Sequence, residues 1–212
     1  QGPHIISNSW GWDKDYKSQE SLLRDDPNFY LEMKDMERAI RSAIAQGVTI
    51  LFSAGNGEQS FPACLPDVIS VGGMSVEPDG HLRPSTMAGS FESLLYPGRT
   101  VPDLCGIVGD GGPVPQRGHI MLPAPRGSII EGSNLPLGLT TRGWAITSGT
   151  SAATPQVAGV VALMLNACPD LKPHDIKSIL CETARGPASG KTGSGLVDGE
   201  RACIRSLELA TA

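Results

Sequence analysis

Two short stretches of this chain carry residue types whose spacing could do chemistry on a carbonyl group. Residues 148–155 read SGTSAATP and run into the small-residue apolar stretch QVAGVVALML, which places Ser151 where an irregular segment becomes a buried helix. A serine there is far more often a helix cap than a nucleophile, because its oxygen satisfies unpaired backbone N–H groups. The neighbours weaken that bland reading. Gly149 permits unusual backbone angles, Ala152 and Ala153 leave the hydroxyl open to approach, and Pro155 suits the first turn of a helix. The start of a helix also offers N–H groups and positive potential to an oxyanion forming beside Ser151. Ala153 stands where a G-x-S-x-G elbow would need its second glycine, which disfavours an α/β-hydrolase arrangement. The second stretch is SAGNG at 53–57. An Asn flanked by glycines is most often a turn, but it can also aim a side-chain amide donor at a developing oxyanion.

The elements around these stretches imply how they are held. HIISNSW (4–10) reads as a buried strand stopping at Gly11, followed by a charged surface excursion. FYLEMKDMERAIRSAIAQG (29–47) reads as a helix with Leu31, Met36, Ile40 and Ile44 on one face and Gly47 as its C-terminal cap. VTILFS (48–53) and DVISVGG (67–73) are apolar strands, so strand, helix, strand predicts a parallel βαβ unit of a doubly wound sheet. In such sheets ligands bind outside the carboxyl ends of the strands, where both SNSW and SAGN fall. Residues 76–142 are rich in Gly and Pro and read as loops and short strands. Helices over 151–166 and 173–184, then a turn, a short strand and a closing helix, complete the chain. No repeat and no linker divides it.

Composition narrows the classes further. With 212 residues and a net charge of −5, and without a Lys/Arg run longer than two, the chain is unsuited to nucleic acid or an anionic membrane surface. No apolar run approaches the length of a membrane span. Residues 1–12 lack the basic start and apolar segment of a signal peptide, and Gln1 rather than Met begins the chain, so any targeting sequence is expected outside it. Five cysteines (64, 105, 168, 181 and 203) show no zinc spacing, and the odd count predicts one disulfide at most.

Taken together, HIISNSWG, VTILFSAGNG, FPACLPDVISVGG, PDLCGIVG, SGTSAATPQVAGVVALML and GSGLVDGERA occur in the order and spacing of the subtilisin-like serine proteases (subtilases, peptidase family S8). The resemblance covers about residues 4–205 and identifies residues 1–212 as the C-terminal portion of a single peptidase domain. It implies an α/β fold, the C-terminal part of a doubly wound, mostly parallel sheet with helices on both faces. It implies that Ser151 is the nucleophile attacking a peptide carbonyl, and that the Asn56 amide and the Ser151 N–H hold the oxyanion. Ser9, Trp10 and Gly11 would lie beside the substrate backbone as an added strand. Ser53, Ala54 and Gly55 would form the other wall of the pocket, with Ser60 near its floor and a cis peptide at Phe61–Pro62. Trp10 is about as well read as core. Ser60 and Trp10 suggest an apolar or medium-sized residue before the cut. Gln156 stands where many relatives carry a second, non-catalytic His, a departure expected to leave the chemistry untouched.

The family's chain order is Asp, His, Ser. None of His4, His81, His119 or His174 carries the family's His motif, and Asp13, Asp15 and Asp103 lack its acid motif, so each reads as a loop or structural residue. Without a base Ser151 would keep a poorly nucleophilic hydroxyl, and a sheet lacking its upstream strands would expose an edge. The expectation is therefore a serine endopeptidase made of two chains cut from one precursor or zymogen before Gln1, by itself or by another protease. The N-terminal fragment would supply the catalytic Asp and His. The competing expectation is a catalytically inactive subtilase-fold protein that binds peptides or regulates a partner, and an artificial truncation would also explain the boundary. Family habit implies a secreted or periplasmic location, while the cysteine count leaves an intracellular one open. No cofactor is required, and no calcium ligand set is identifiable.

Overall fold

A computed structural model describes residues 2–13, 17–57, 59–77, 79–109, 120–131 and 143–211. The strands in chain order are β1 (Ile5–Asn8), β2 (Trp12–Asp13), β3 (Thr49–Ser53), β4 (Ser60–Phe61), β5 (Ile69–Val76), β6 (Leu82–Pro84), β7 (Phe91–Glu92), β8 (Thr100–Val101), β9 (Leu104–Ile107), β10 (Ile120–Pro123) and β11 (Trp144–Thr147). The helices are α1 (Gln19–Asp25), α2 (Pro27–Ala45), α3 (Thr150–Ala167), α4 (Pro173–Thr183) and α5 (Gly199–Ala210). The main sheet runs β1-β3-β5, with β9 on β5, all parallel, and β6 antiparallel on β5. Asp15 and His119 lie outside the described residues, as does most of the turn-dense segment before β11.

Side chains alternate across the strands, and this splits the core in two. Ile50 and Phe52 of β3 face α1 and α2, where Leu22, Phe29, Met33 and Ile40 are buried. Leu51 points the other way, with Ile69, Val71 and Leu104, onto Val157, Val161 and Met164 of α3 and Ile176, Ile179 and Leu180 of α4. Each such side chain contributes about 1.5–3 kcal/mol by leaving water. Helices on both faces of a mostly parallel sheet are the architecture expected.

Some expectations are corrected. The excursion after Gly11 contains α1, capped where Ser18 and Ser21 bond reciprocally at 3.0 Å. The buried stripe of α2 is Phe29, Met33, Glu37 and Ile40, while Leu31 is 59 % exposed. Pro27 opens the helix and Asp26 caps it, its carboxylate accepting from Phe29 N at 3.2 Å. β1 is half-buried rather than buried, because among the described residues β3 is its one partner strand. All five cysteines are free, within the expectation of one disulfide at most. The α3 helix starts at Thr150, which moves Pro155 into its interior.

Asp103 is an internal ion-pair centre. Its carboxylate accepts from Ser70 N at 2.7 Å, pairs through two bonds with Arg99, and lies 3.1 Å from Lys177 Nζ. Lys177 also donates to the carbonyls of Pro66 (2.9 Å) and Val68 (2.8 Å). Burial pulls the Lys177 ammonium below its ordinary pKa, against the opposing pull of Asp103.

Candidate active site

The first turn of α3 presents Ser151 to solvent. Gly149 caps the helix at φ +98°, a conformation L side chains rarely adopt, and a Cβ there would stand 3.1 Å from Asn56 Oδ1. This glycine lets SAGN and the nucleophile turn meet. Thr150 N donates to Asn56 Oδ1 at 3.0 Å. Thr150 Oγ1 lies 3.2 Å from both Gly55 O and Asn56 Oδ1, and can donate to one at a time. The Asn56 oxygen is thus engaged from Thr150, and both amide atoms lie against Gly149, where a Cβ would stand 3.1 Å from Oδ1 and 3.3 Å from Nδ2.

Pro155 has no N–H, so the Ser151 carbonyl loses its helical partner four residues on. Ser9 supplies one instead, its Oγ donating to Ser151 O at 3.0 Å. In return Ser151 Oγ donates to the Ser9 carbonyl at 3.4 Å, a long bond that leaves the hydroxyl loosely held. The end of β1 is thereby tied to the helix, although the two serines are 142 residues apart.

The pocket walls converge on the same corner. β2 pairs with β4 so that Trp12 opposes Phe61 and Asp13 opposes Ser60. A Cβ on Gly11 would lie 2.2 Å from Ser60 Oγ, so only glycine fits beside the buried Ser60. Ser53 and Ala54 are buried at the end of β3. Gly89 N donates to Gly55 O at 2.7 Å, and a side chain on Gly89 would strike that oxygen. Trp10 is 45 % exposed, its ring edge-on to Trp12 at 5.5 Å and to Phe52 at 5.4 Å. Trp12 stacks on Phe61, and the Phe61–Pro62 peptide is cis as expected.

The structure therefore brings Ser151, Asn56, Ser9, Gly11, Gly55 and Ser60 to one corner. Of the described histidines, His4 and His81 are exposed and His174 pairs with Asp175 at 3.0 Å; among the described residues the Ser151 hydroxyl bonds to Ser9 and not to a histidine. Sequence reasoning missed Thr150, and it named Gln156 only as a departure without effect on the chemistry. Pro155 was the available signal for the Ser9 bond, since a proline inside a helix orphans a carbonyl. No group of three or more His, Cys, Asp or Glu among the described residues could hold a metal ion. No helix among them is long and apolar enough to cross a membrane.

The corner thus sets an exposed hydroxyl at the N-terminus of a helix, beside an Asn amide whose oxygen is held from Thr150. Comparison with known proteins gives the same direction. The chain is 28% identical over 210 residues to a probable subtilase-type serine protease of Deinococcus radiodurans, covering 93% of this chain and 24% of that protein. It is 32% identical over 183 residues to an extracellular protease of Xanthomonas campestris, covering 81% of this chain and 26% of that protein. It thus spans about a quarter of the length of these relatives. The crystal structure of fervidolysin from Fervidobacterium pennivorans, described as a keratinolytic enzyme related to subtilisin, superposes with a TM-score of 0.64. That match has 23% identity and covers 96% of this chain and 27% of the other. The self-cleaved protease domain of PatA superposes at 0.62 with 22% identity, covering 97% and 62%. The sequence model of the subtilase family, Peptidase S8, matches residues 1–200, and the chain belongs to that family.

Proposed function

We propose that this chain is the nucleophile-bearing part of a serine endopeptidase. The observation that carries the reading is the pairing of Ser151 with Asn56 through Thr150, in a chain of the subtilase family. Ser151 attacks the substrate carbonyl carbon while a histidine takes its proton. The Asn56 amide and the Ser151 N–H stabilise the oxyanion. Collapse expels the amine, which leaves with a proton from the imidazolium, and water then hydrolyses the acyl-enzyme by the same route. Residues 9–11 pair with the substrate main chain, while Ser53, Ala54, Gly55 and Ser60 bound the side chain before the cut. Ser60 lying against Gly11 favours an apolar residue of medium size. No cofactor enters these steps.

The histidine and its aspartate come from a segment preceding β1, on an N-terminal fragment of the same precursor released by proteolytic processing. Two features support this. The outer edge of β1 has no strand partner among the described residues, and an open edge in a parallel sheet is a site for another strand. Beside it a groove of about 290 Å³ is lined by His4, Ile5, Ala162, Leu165, Asn166 and Pro169, with Leu163 of α3 57 % exposed nearby in the chain. We also propose export from the cytoplasm, the location named for the Xanthomonas relative.

A fluorophosphonate probe tests the reading. It should label Ser151 in the full-length protein or in the reassembled fragments, and Ser151→Ala should abolish both labelling and peptide hydrolysis. Intact protein that binds peptides but neither labels nor hydrolyses them would instead establish the inactive, peptide-binding alternative.

A further inference from the structure

We propose that Gln156 is a positioning residue for the reaction at Ser151, an inference that rests on the peptidase reading above. Its carboxamide makes three hydrogen bonds. Oε1 accepts from Ile107 N at 3.1 Å, Nε2 donates to Ile107 O at 2.8 Å, and Nε2 also donates to Ala152 O at 2.9 Å. Ile107 is the last residue of β9, so the ladder of that strand ends on a side chain that mimics a neighbouring strand's N–H and C=O. The remaining bond reaches the residue after the nucleophile. Thr150 is fixed by Asn56 and Gly55, and Ala152 is fixed through Gln156 to the sheet, so Ser151 is bracketed on both sides.

Close packing makes this tie geometrically strict. A Cβ on Gly106 of β9 would stand 2.8 Å from the Ala153 carbonyl, so strand and helix are already in backbone contact beside Ser151. The tie is specific to a carboxamide, the one side-chain group that presents two N–H donors and an acceptor side by side in one plane. A neutral imidazole has one donor and one acceptor that diverge, and cannot bracket both backbone groups of Ile107 while bonding Ala152. Gln156 therefore anchors the turn of α3 that carries Ser151 to β9.

The experiment uses the full-length protein, with active sites counted by fluorophosphonate titration so that rates refer to competent Ser151. Gln156→Met keeps the length of the side chain and removes all three bonds. Its kcat per active site should fall about tenfold with KM unchanged, the cost of losing one net hydrogen bond's worth of alignment. Gln156→Glu should fall further, because its carboxylate faces the Ile107 and Ala152 carbonyls. Equal kcat per site in wild type and both variants, even with lowered thermal midpoints, would overturn the proposal, as would a rise in KM alone. If Glu folds too poorly to assay, Met alone decides by the same criterion. A wild-type protein that neither labels nor hydrolyses would overturn the peptidase reading itself, and the positioning role with it.

Discussion

Two polar corners of the molecule are built on opposite principles. Around Asp103, Arg99 and Lys177 bring two positive charges to one carboxylate, and side-chain exposure is 8 % at Asp103 and 11 % at Arg99. Around Ser151, the groups tied together are hydroxyls, amides and carbonyls: Ser9, Gly55, Asn56, Thr150 and Gln156. At the charged corner both carboxylate oxygens of Asp103 are taken up by Arg99, Lys177 and Ser70 N, while Arg99 Nε is buried without a partner among the described residues. On the function proposed above, the neutral corner holds dipoles ready for a charge that would exist only during reaction. A fixed dipole needs no reorganisation when that charge appears, whereas a fixed ion would bind its counter-ion in the ground state as well. The difference teaches that this fold spends its buried ions on architecture.

Breaking each corner should therefore change a different quantity. Asp103→Ala leaves Arg99 and Lys177 without their counter-charge and should cost about 3–5 kcal/mol of unfolding free energy. Urea denaturation of the full-length protein measures it; a loss below 1 kcal/mol would show that the corner is not a structural centre. Asn56→Ala orphans Thr150 N and should cost about 1–3 kcal/mol in urea denaturation, less than Asp103→Ala. It should also lower kcat by about 100- to 1000-fold, which is what one oxyanion donor is worth in a subtilisin. Steady-state kinetics on a peptide substrate would expose the opposite pattern, an unchanged kcat with lost stability. Thr150→Val keeps the backbone bond to Asn56 and deletes the hydroxyl, so kcat should drop by about fivefold, roughly 1 kcal/mol. An unaltered kcat there would mean that the backbone N–H alone sets the Asn56 amide.

The smallest effect tests neutrality across the rest of the core. Burial pushes the Cys64 thiol up to about 11 and Cys105 up to about 12, from an ordinary value of 9.0. A group whose folded pKa is raised contributes stability that is full below the unfolded value and is lost as pH rises through the folded one. The stability contribution should thus be intact at pH 8 and decline from about pH 9 to 11, by under about 1 kcal/mol per thiol near pH 9.5. Cys105→Ala should flatten that decline in urea midpoints; a slope identical to wild type would remove Cys105 as its source.

Much of the site was legible because its parts are local. Gly149, Ser151 and Pro155 sit within one short stretch, and their order restricts the backbone so strongly that residue types alone imply a helix start with an exposed hydroxyl. The strands of the sheet were legible because β3 and β5 carry runs of β-branched and other apolar residues, as strands covered on both faces do. What escaped was long-range. Thr150 meets Asn56 across 94 residues and Gln156 meets Ile107 across 49, and no spacing rule links such positions. The stripe of α2 was misjudged because Leu31 and Phe29 are both apolar and two residues apart. The inward face follows Phe29, Met33, Glu37 and Ile40, a stripe holding a charged residue that hydropathy alone does not pick. The short α1 escaped because it buries only Leu22 and is otherwise polar enough to read as loop.

The Lys177 ammonium has a further consequence. Three oxygens surround it, two of them main-chain carbonyls of the 66–68 segment that leads into β5. A positive centre tethered by its own four-carbon stem cannot be diluted away, chelated or exchanged for another ion. This corner therefore has no binding equilibrium to maintain with the surrounding medium, and its cation is delivered by the folding of α4 itself.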